Sequence, residues 1–293
     1  MLRRYCVWII VCLCYFSLSV TSSFATTDLG LVKAHAQGFA ITATYLGLES
    51  SLKNPAGIYT KSKLEGILNI NDTYAMDIYN GFSGIKFTSN NTSSIALSMP
   101  FSYINNINKT QLDSNGIASK IDSFTSLSLS PRITYSTQLS SLTHVGVSAI
   151  YLYDQIDTES AHGFSFDLGL IHTFKSMQFG FSIQNLLHNK YWSTQKKETK
   201  SLQYNMGLNY KVLNNLEILS DISIIESDTL INLGSHIMLT SQLDVYLGCF
   251  DLGQTNQLRS GVQLSIDSTT VSYSYSHHNK LGDSHKIGME IEF

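Results

Sequence analysis

The chain has 293 residues, a formal net charge of −3 and a small share of charged residues, 14%. A chain so close to neutral has no basic surface for nucleic acid, so nucleic-acid binding is excluded as a function class. It also contains no glycine-rich phosphate loop, metal-ligand spacing or nucleophile elbow. We therefore predict no enzyme activity, no cofactor and no bound metal.

The first 25 residues have the features of an export signal. Arg3 and Arg4 precede an apolar stretch over residues 6–18, and Ser23-Phe24-Ala25 offers a small-x-small cleavage site. A single membrane-spanning helix is the alternative, but the apolar stretch is short for one and small polar residues follow it at once. We therefore expect residues 1–25 to be a signal peptide that is removed on export.

Residues 26–60 do not alternate well and are predicted to form a separate N-terminal segment. The segment ends in Asn54-Pro55-Ala56-Gly57. Asparagine and proline with a glycine close behind are the residues of a turn. We therefore place the end of this segment, and the start of the strands, near residue 60.

From residue 61 to the end of the chain, apolar and polar residues alternate in one segment after another. The clearest segment is 202–212, in which every even residue is apolar and every odd residue is polar or small. Alternate side chains of a strand share a face, so each such segment predicts a two-sided strand. About fourteen strands are predicted, at 64–71, 75–88, 92–103, 123–137, 142–154, 162–174, 177–186, 201–212, 215–225, 230–239, 242–250, 257–266, 269–277 and 284–293.

The connections between these strands distinguish a membrane barrel from a soluble β-sandwich. Short connections such as 138–141 and 175–176 alternate with long ones such as 104–122 and 187–200. Outer-membrane barrels have short periplasmic turns and longer extracellular loops, whereas a sandwich has no reason to sort its loops. For residues 61–293 we predict an all-β fold, a transmembrane antiparallel up-and-down β-barrel with both termini in the periplasm.

If the apolar face of the strands meets lipid, their charged residues face the lumen of the barrel. This set is mainly acidic, and we expect it to fix the interior through ion pairs and hydrogen bonds. Its members are Glu65, Arg132, Asp167, Glu217, Asp221, Asp244, Arg259, Glu290 and Glu292.

Two prolines lie inside segments that otherwise have the pattern of strands. Pro100 falls in the third predicted strand and Pro131 in the fourth. Proline cannot donate a hydrogen bond to a β-ladder, and a closed barrel has no edge where this loss is harmless. A weakened patch or side opening is therefore predicted near both residues. The alternative is that both prolines lie at the membrane rims, where pairing is ending anyway.

The last eight residues predict the closing strand of the barrel. Ile287, Met289, Ile291 and Phe293 share one face, and the chain ends at the aromatic residue. The pattern polar-x-Gly-x-x-apolar-x-aromatic also resembles the signal that the bacterial barrel-assembly machinery recognises. The residues in that pattern are Lys286, Gly288, Ile291 and Phe293.

In layout, the mature chain resembles the FadL-type outer-membrane transporters and the related PorV/PorQ-like proteins. In those proteins a small-residue-rich N-terminal stretch ends in Asn-Pro-Ala just before the first barrel strand, as Asn54, Pro55 and Ala56 do here. The chain is shorter than typical FadL transporters and lacks room for their large extracellular loops, which brings it closer to the PorQ-like branch.

The resemblance implies a role for two regions of the chain. Residues 26–60 would form a hatch inside the lumen, and a barrel of this size does enclose space that must be filled. The alternative is that they form an ordinary periplasmic leader. A kinked third strand would open a lateral gap for hydrophobic substrate, which points to Pro100 and Pro131.

Two functions follow from the predicted fold and the resemblance. The first is an outer-membrane channel for small hydrophobic molecules, embedded in outer-membrane lipid. The second is a PorV/PorQ-like structural partner of a secretion or surface-anchoring system. A third, an outer-membrane hydrolase, would need Ser/His or Asp/His partners near one rim, and the sequence shows no such pairing above chance. The substrate or partner is not specified by the sequence.

Overall fold

The computed structural model describes residues 30–74, 77–89, 92–112, 117–278 and 280–293. The predicted signal peptide lies outside these residues, as do the first four residues of the predicted N-terminal segment. In the part of the chain that is described, no helix combines the length and the apolar character needed to cross a membrane.

The described residues form a single antiparallel sheet of sixteen strands. The strands are β1 (Leu64–Thr73), β2 (Ile78–Ser89), β3 (Ser93–Leu112), β4 (Ala118–Leu129), β5 (Arg132–Ser140), β6 (Thr143–Ile156), β7 (Glu159–Phe174), β8 (Met177–Trp192), β9 (Lys197–Glu198), β10 (Gln203–Leu213), β11 (Leu216–Ile225), β12 (Asp228–Met238), β13 (Leu243–Phe250), β14 (Gln257–Ile266), β15 (Thr269–His278) and β16 (Gly282–Glu292).

Fourteen of these strands close into a ring, which confirms the predicted barrel and its strand count. Strand β16 pairs with β1, and β8 pairs with β10. Strands β4 and β9 lie outside the ring: β4 joins the far halves of β3 and β6, and β9 pairs with β8. Ring closure gives every strand a neighbour on both sides, which a sheet in lipid requires.

The two faces of the ring differ as the alternation predicts. The outside carries large apolar side chains that are about half exposed, far more than a protein in water presents. Examples are Leu68, Ile70, Ile85, Phe87, Ile95, Leu97, Ile133, Met206, Val262 and Ile287. The lumen side carries Asn, Ser, Thr and charged residues, so the outer face suits hydrocarbon and the inner face suits polar contacts.

The predicted sorting of connections into long loops and short turns is wrong in detail. Most of 104–122 is paired strand, because β3 and β4 continue as a hairpin beyond the ring, and β8 continues as far as Trp192. The connection expected at 155–161 is only the turn 157–158. Backbone hydrogen bonds can extend a hairpin whatever its side chains are, so a loss of alternation does not mark the end of a strand.

The two ends of the barrel are nevertheless different. One end, here called the short-turn end, has two-residue turns at 141–142, 175–176, 214–215 and 267–268, and it also contains both ends of the ring, Leu64 and Phe293. The opposite end, here called the hairpin end, has the extended hairpin of β3 and β4 and the ten residues between β8 and β10.

The ring closes at its last residue. The Leu64 N–H donates to the Phe293 carbonyl at 3.2 Å, and the Phe293 N–H donates to the Leu64 carbonyl at 2.9 Å. Strand β16 then pairs with β1 from Glu292 back to Ser284. The terminal residue is therefore part of the ladder that removes the last free edges.

We expect deletion of Phe293 to reduce the yield of folded barrel severely, because it removes the closing pair and the aromatic end of the assembly pattern. The measurement is heat-modifiable migration of the membrane fraction on gels. Phe293→Tyr keeps both features and is the control. A normal amount of heat-modifiable protein after the deletion would show that neither feature is needed.

Candidate functional site

Residues 30–60 pack against the lumen side of the ring and are called the hatch from here on. They contain a short helix, α1 (Lys33–Ala36), and two 3-10 turns at Gly47–Leu52 and Pro55–Ile58. The apolar core of the protein lies where the hatch meets the wall of β1 to β3. It comprises Leu31, Ala34, Ile41, Leu48, Ile58, Ile67, Phe82 and Ala96.

The Asn-Pro-Ala-Gly motif fastens the hatch to the wall. The Asn54 amide donates to the carbonyls of Thr42, at 2.6 Å, and Leu170 on β7, at 3.1 Å. Its oxygen accepts from the Ala56 N–H, so Asn54 caps the turn that Pro55 begins. All four residues of the motif, through Gly57, are buried. These contacts fasten the motif to the hatch and to β7.

The hatch backbone runs against wall glycines that face the lumen. A Cβ atom added to Gly180 on β8 would clash with the backbone of Thr42 and Ala43, and one on Gly146 on β6 would clash with the backbone of Pro55 and Ala56. The same close approach occurs at Gly169, Gly207, Gly234 and Gly248. The sequence analysis missed these glycines, although each occupies a lumen-facing position in an alternating strand.

Buried ion pairs join the hatch to the wall. The Lys33 ammonium lies 2.5 Å from the Glu290 carboxylate, and that of Lys53 lies 3.7 Å from Asp221. Burial lowers the pKa of Lys53, and the carboxylate of Asp221 acts against that shift. Six of the nine residues predicted to face the lumen are buried, as expected. They are Glu65, Arg132, Asp167, Asp221, Arg259 and Glu290.

Glu49 holds the two halves of the hatch together, a role that the sequence did not indicate. Its carboxylate accepts the N–H groups of Val32, Lys33 and Ala34 at 3.0, 3.3 and 2.8 Å, at the start of α1. It also accepts from the Asn69 amide of β1 at 3.0 Å. One buried carboxylate therefore satisfies three backbone donors and fixes the hatch to the wall.

Three carboxylates of the closing strands lie together: Glu65, Glu290 and Glu292 have oxygens within 4.8 Å of one another. Lys33 is paired with Glu290, and the buried Lys86 is paired with Glu65. Two ammonium groups thus supply the positive charge that the cluster needs. The arrangement is a charge network that joins hatch and wall.

An aromatic group fills the lumen near the short-turn end. The Tyr45 hydroxyl lies 2.9 Å from His144 Nδ1, and Tyr59 stacks on the His144 ring at 4.5 Å between centroids. Burial raises the pKa of Tyr45 to about 12, so its hydroxyl keeps its proton. Two rings of the hatch thus pack against a histidine of the wall.

Above the hatch, toward the hairpin end, the lumen keeps a cavity of about 510 Å³, a usual size for a ligand site. Its floor is apolar and comes from Leu31, Phe39 and Leu52 of the hatch. Its walls are mixed. They include Ser128, Leu129, Ser130, Arg132, Ile150, Asp154, Ser165, Asp167, Gln184, His188, Lys190, Lys200, Glu226, Asp228, Leu230, Asn232 and Phe250.

The wall beside this cavity contains the two prolines. The single strand predicted at 123–137 is divided at Ser130 and Pro131 into β4 and β5, which keep the same register against β3. The Ser130 N–H donates to the Pro100 carbonyl at 3.1 Å, and the Tyr151 N–H donates to the Pro131 carbonyl at 3.0 Å.

A hydrogen-bonded pair in an antiparallel ladder normally exchanges two bonds, and proline cannot return the second. The wall therefore has one bond instead of two at each of these neighbouring pairs. We call this part of the wall, formed by Pro100, Ser130, Pro131 and Tyr151, the proline seam. Ser130 belongs both to the seam and to the lining of the cavity.

The residues of the C-terminal pattern divide between the two faces of β16. Lys286 and Gly288 are buried toward the lumen, and a Cβ atom on Gly288 would clash with the Asn69 side chain. Ile291 is half-buried, and Phe293 is exposed on the outside. Gly288 therefore has a packing role in the folded barrel, apart from any role in recognition during assembly.

No protein-family model matches the sequence, and no curated protein is detectably similar to it. Solved structures are similar in fold. The toluene transporter TbuX of Ralstonia pickettii superposes with a TM-score of 0.69 at 11% identity, over 91% of this chain and 99% of that one. The chain has the fold of the FadL-type barrels.

Two further structures support this assignment of fold. The toluene transporter TodX of P. putida gives a TM-score of 0.68 at 12% identity, over 91% of this chain and 99% of that one. A FadL homologue of Pseudomonas aeruginosa gives 0.59 at 9% identity, over 95% and 99%. The alternative resemblance to PorV/PorQ-like proteins receives no support from these similarities.

We expect Gly180→Val to displace the hatch, because the new side chain would occupy the place of the Thr42 and Ala43 backbone. Overpacking of this kind costs about 1–3 kcal/mol. The measurements are the midpoint of heat-modifiable unfolding and the rate at which protease cleaves the hatch.

Gly66→Val is the matched control, since Gly66 is also a strand glycine and a Cβ atom there meets nothing within 4 Å. Equal effects of the two substitutions would mean that Gly180 matters only as a strand residue.

Proposed function

We propose that the chain is an outer-membrane channel that carries small hydrophobic molecules from the lumen cavity through the wall at the proline seam. The observation that carries the proposal is that Ser130 belongs to both the cavity lining and the seam. A molecule in the cavity is thus next to the part of the wall that has lost hydrogen bonds.

A straight route along the lumen is opposed by the hatch. Its backbone lies against wall glycines, and two of its lysines are ion-paired with buried carboxylates of the wall. Breaking one buried pair costs about 3–5 kcal/mol, so the hatch is not displaced by weak ligand contacts. A route through the wall leaves the pairs of Lys33 and Lys53 intact.

The outer face of the seam also suits a hydrophobic molecule. Below it, toward the short-turn end, a groove of about 310 Å³ lies between β2, β3 and β5 and is lined mainly by Ile85, Phe87, Ile95, Leu97 and Ile133. A molecule that leaves through the seam therefore meets an apolar surface and lipid rather than water. The structural relatives TbuX and TodX are toluene transporters, which agrees with this choice of cargo.

We further propose that the hairpin end faces outside and that both termini face the periplasm. Outer-membrane barrels have short turns on the periplasmic side and longer loops outside. Here four two-residue turns and both ends of the ring share one end, and the extended β3–β4 hairpin and the ten residues between β8 and β10 lie at the other. The C-terminal pattern ending in Phe293 supports insertion by the barrel-assembly machinery. No specific contact favours the alternative role as a partner of a secretion or surface-anchoring system.

The orientation can be tested by cysteine labelling in a Cys249→Ser background, since Cys249 is the free cysteine of the described chain. We expect a cysteine at Asn108, on the β3 hairpin, to react with an impermeant maleimide on intact cells. A cysteine at Asn214, in a short turn, should react only after the cells are opened. The reverse pattern would overturn the orientation.

The function can be tested by restoring the missing donors. Pro100→Ala and Pro131→Ala each return one N–H to the ladder, and a net hydrogen bond is worth about 0.5–1.5 kcal/mol. We expect the double variant to unfold at higher temperature and to take up radiolabelled toluene several-fold more slowly. Uptake is measured in cells that express the barrel, with cells lacking it as the baseline.

Met99→Leu, on the outer face beside the seam, is the matched control and should leave uptake unchanged. A more stable double variant with normal uptake would show that molecules pass elsewhere. Uptake equal to the baseline for the unmodified barrel, with partner proteins co-purifying instead, would overturn the channel.

A further inference from the structure

The wall of the cavity contains buried polar atoms that have no hydrogen-bond partner within the described part of the chain. His188 is 6% exposed, yet neither of its ring nitrogens is bonded. The hydroxyl of Ser165, on the neighbouring part of β7, lacks a partner as well, and so does the amide nitrogen of Asn232 on β12. All three residues line the cavity. An unsatisfied buried polar group costs about 1–3 kcal/mol, so unpartnered groups in a cavity wall call for a ligand group.

The backbone around His188 is irregular. The pairing of β7 with β8 shifts register twice, between Phe164 and Phe166 and between Phe166 and Leu168. On β8, Asn185 and Leu187 have φ values of +64° and +53°, in the left-handed region. For leucine this conformation is uncommon and costs about 1–3 kcal/mol. Bulges of this kind redirect side chains next to functional sites, and here one of the two register shifts contains His188 itself.

Another part of the cavity lining is mainly apolar. Leu31, Phe39 and Leu52 of the hatch form the floor, and Leu230 and Phe250 continue it on β12 and β13. A pure hydrocarbon would contact this side and leave the ring nitrogens of His188 and the hydroxyl of Ser165 unpaired. The lining as a whole therefore suits a molecule with an apolar body and a polar group at one end.

The charges of the lining decide whether that polar group is ionic. The cations Lys53 and Arg132 lie 3.7 Å from Asp221 and Asp167, and Lys190 is paired with Asp154. Among the residues that line the cavity, four are basic and four are acidic. They are Lys53, Arg132, Lys190 and Lys200, and Asp154, Asp167, Glu226 and Asp228. The cavity therefore has no surplus positive charge to compensate a carboxylate in the ligand.

We propose that the cavity is a binding site for a small neutral amphiphile with a hydroxyl group, an alcohol or a phenol, which hydrogen-bonds His188. A neutral imidazole offers one donor and one acceptor, and a hydroxyl group offers the same two functions in return. The apolar body lies against Leu31, Phe39 and Phe250. This inference rests on the proposed channel function and specifies the class of cargo.

The test uses three probes of similar size: ethylbenzene, 2-phenylethanol and phenylacetate. Calorimetric titration of the purified barrel, corrected with empty micelles, gives their affinities. One additional hydrogen bond is worth about five- to tenfold in affinity, so 2-phenylethanol should bind at least that much more tightly than ethylbenzene or phenylacetate. His188→Phe should remove this preference and leave the affinity for ethylbenzene within about twofold.

Two further variants separate a ligand contact from a structural role. His188→Gln keeps a donor and an acceptor and should retain most of the preference for the alcohol. His285→Phe alters an exposed histidine on β16, away from the cavity, and should change none of the three affinities. Heat-modifiable migration shows that each variant is folded.

Each other result overturns the inference in a distinguishable way. If ethylbenzene binds as tightly as the alcohol, or His188→Phe weakens all probes alike, the inference fails and the channel proposal stands. If phenylacetate binds most tightly, the cargo is anionic. If none of the three binds, the cavity is not their binding site and the inference fails. The toluene uptake experiment then tests the channel proposal independently.

Discussion

The whole structure depends on one constraint: in hydrocarbon, every backbone N–H and C=O must find its partner within the protein. Fourteen strands satisfy it by closing into a ring, with the last bonds made between Leu64 and Phe293. A ring of that size encloses a polar space that must itself be filled. The hatch fills part of it, and its fit against the wall follows from this need.

The hatch fits closely because the wall has no side chains at the points of contact. Glycines on β6, β7, β8, β10, β12 and β13 allow the hatch backbone to approach where any side chain would prevent it. Two ion pairs then set the position of the hatch: Lys33 lies beside Glu290 of the wall, and Lys53 lies beside Asp221. Buried pairs of this type add little net stability, but misplacing either partner is costly, so they favour a single docked arrangement.

The sequence predicts the ring well because a barrel strand depends on a local period. In residues 203–213, for example, alternation alone identifies which side chains face lipid, and it places β10 to within a residue or two of its ends. The same reasoning gave fourteen ring positions and the inward direction of Asp221 and Glu290. Period two is a property of a strand itself, so no knowledge of its partners is needed.

The sequence could not predict contacts between residues that are far apart along the chain. The contact between Lys33 and Glu290 joins residues 257 positions apart, and Glu49 binds the start of α1 through atoms that no spacing rule relates. The extended hairpin of β3 and β4 was missed because its residues pair through backbone atoms without alternating. The unpaired nitrogens of His188 arise only where β7 and β8 slip in register.

The position of the hatch in the chain has a consequence for the order of assembly. The hatch immediately precedes β1, and its bonds reach β1, β7, β11, β15 and β16, which are spread around the ring. These bonds can all form only when the sheet has curled almost completely around it. Joining β16 to β1 is also the step that brings Glu290 to Lys33. We therefore expect the sheet to curl around the hatch during folding. The contacts of the hatch with the wall would then be completed in the same step that closes the ring.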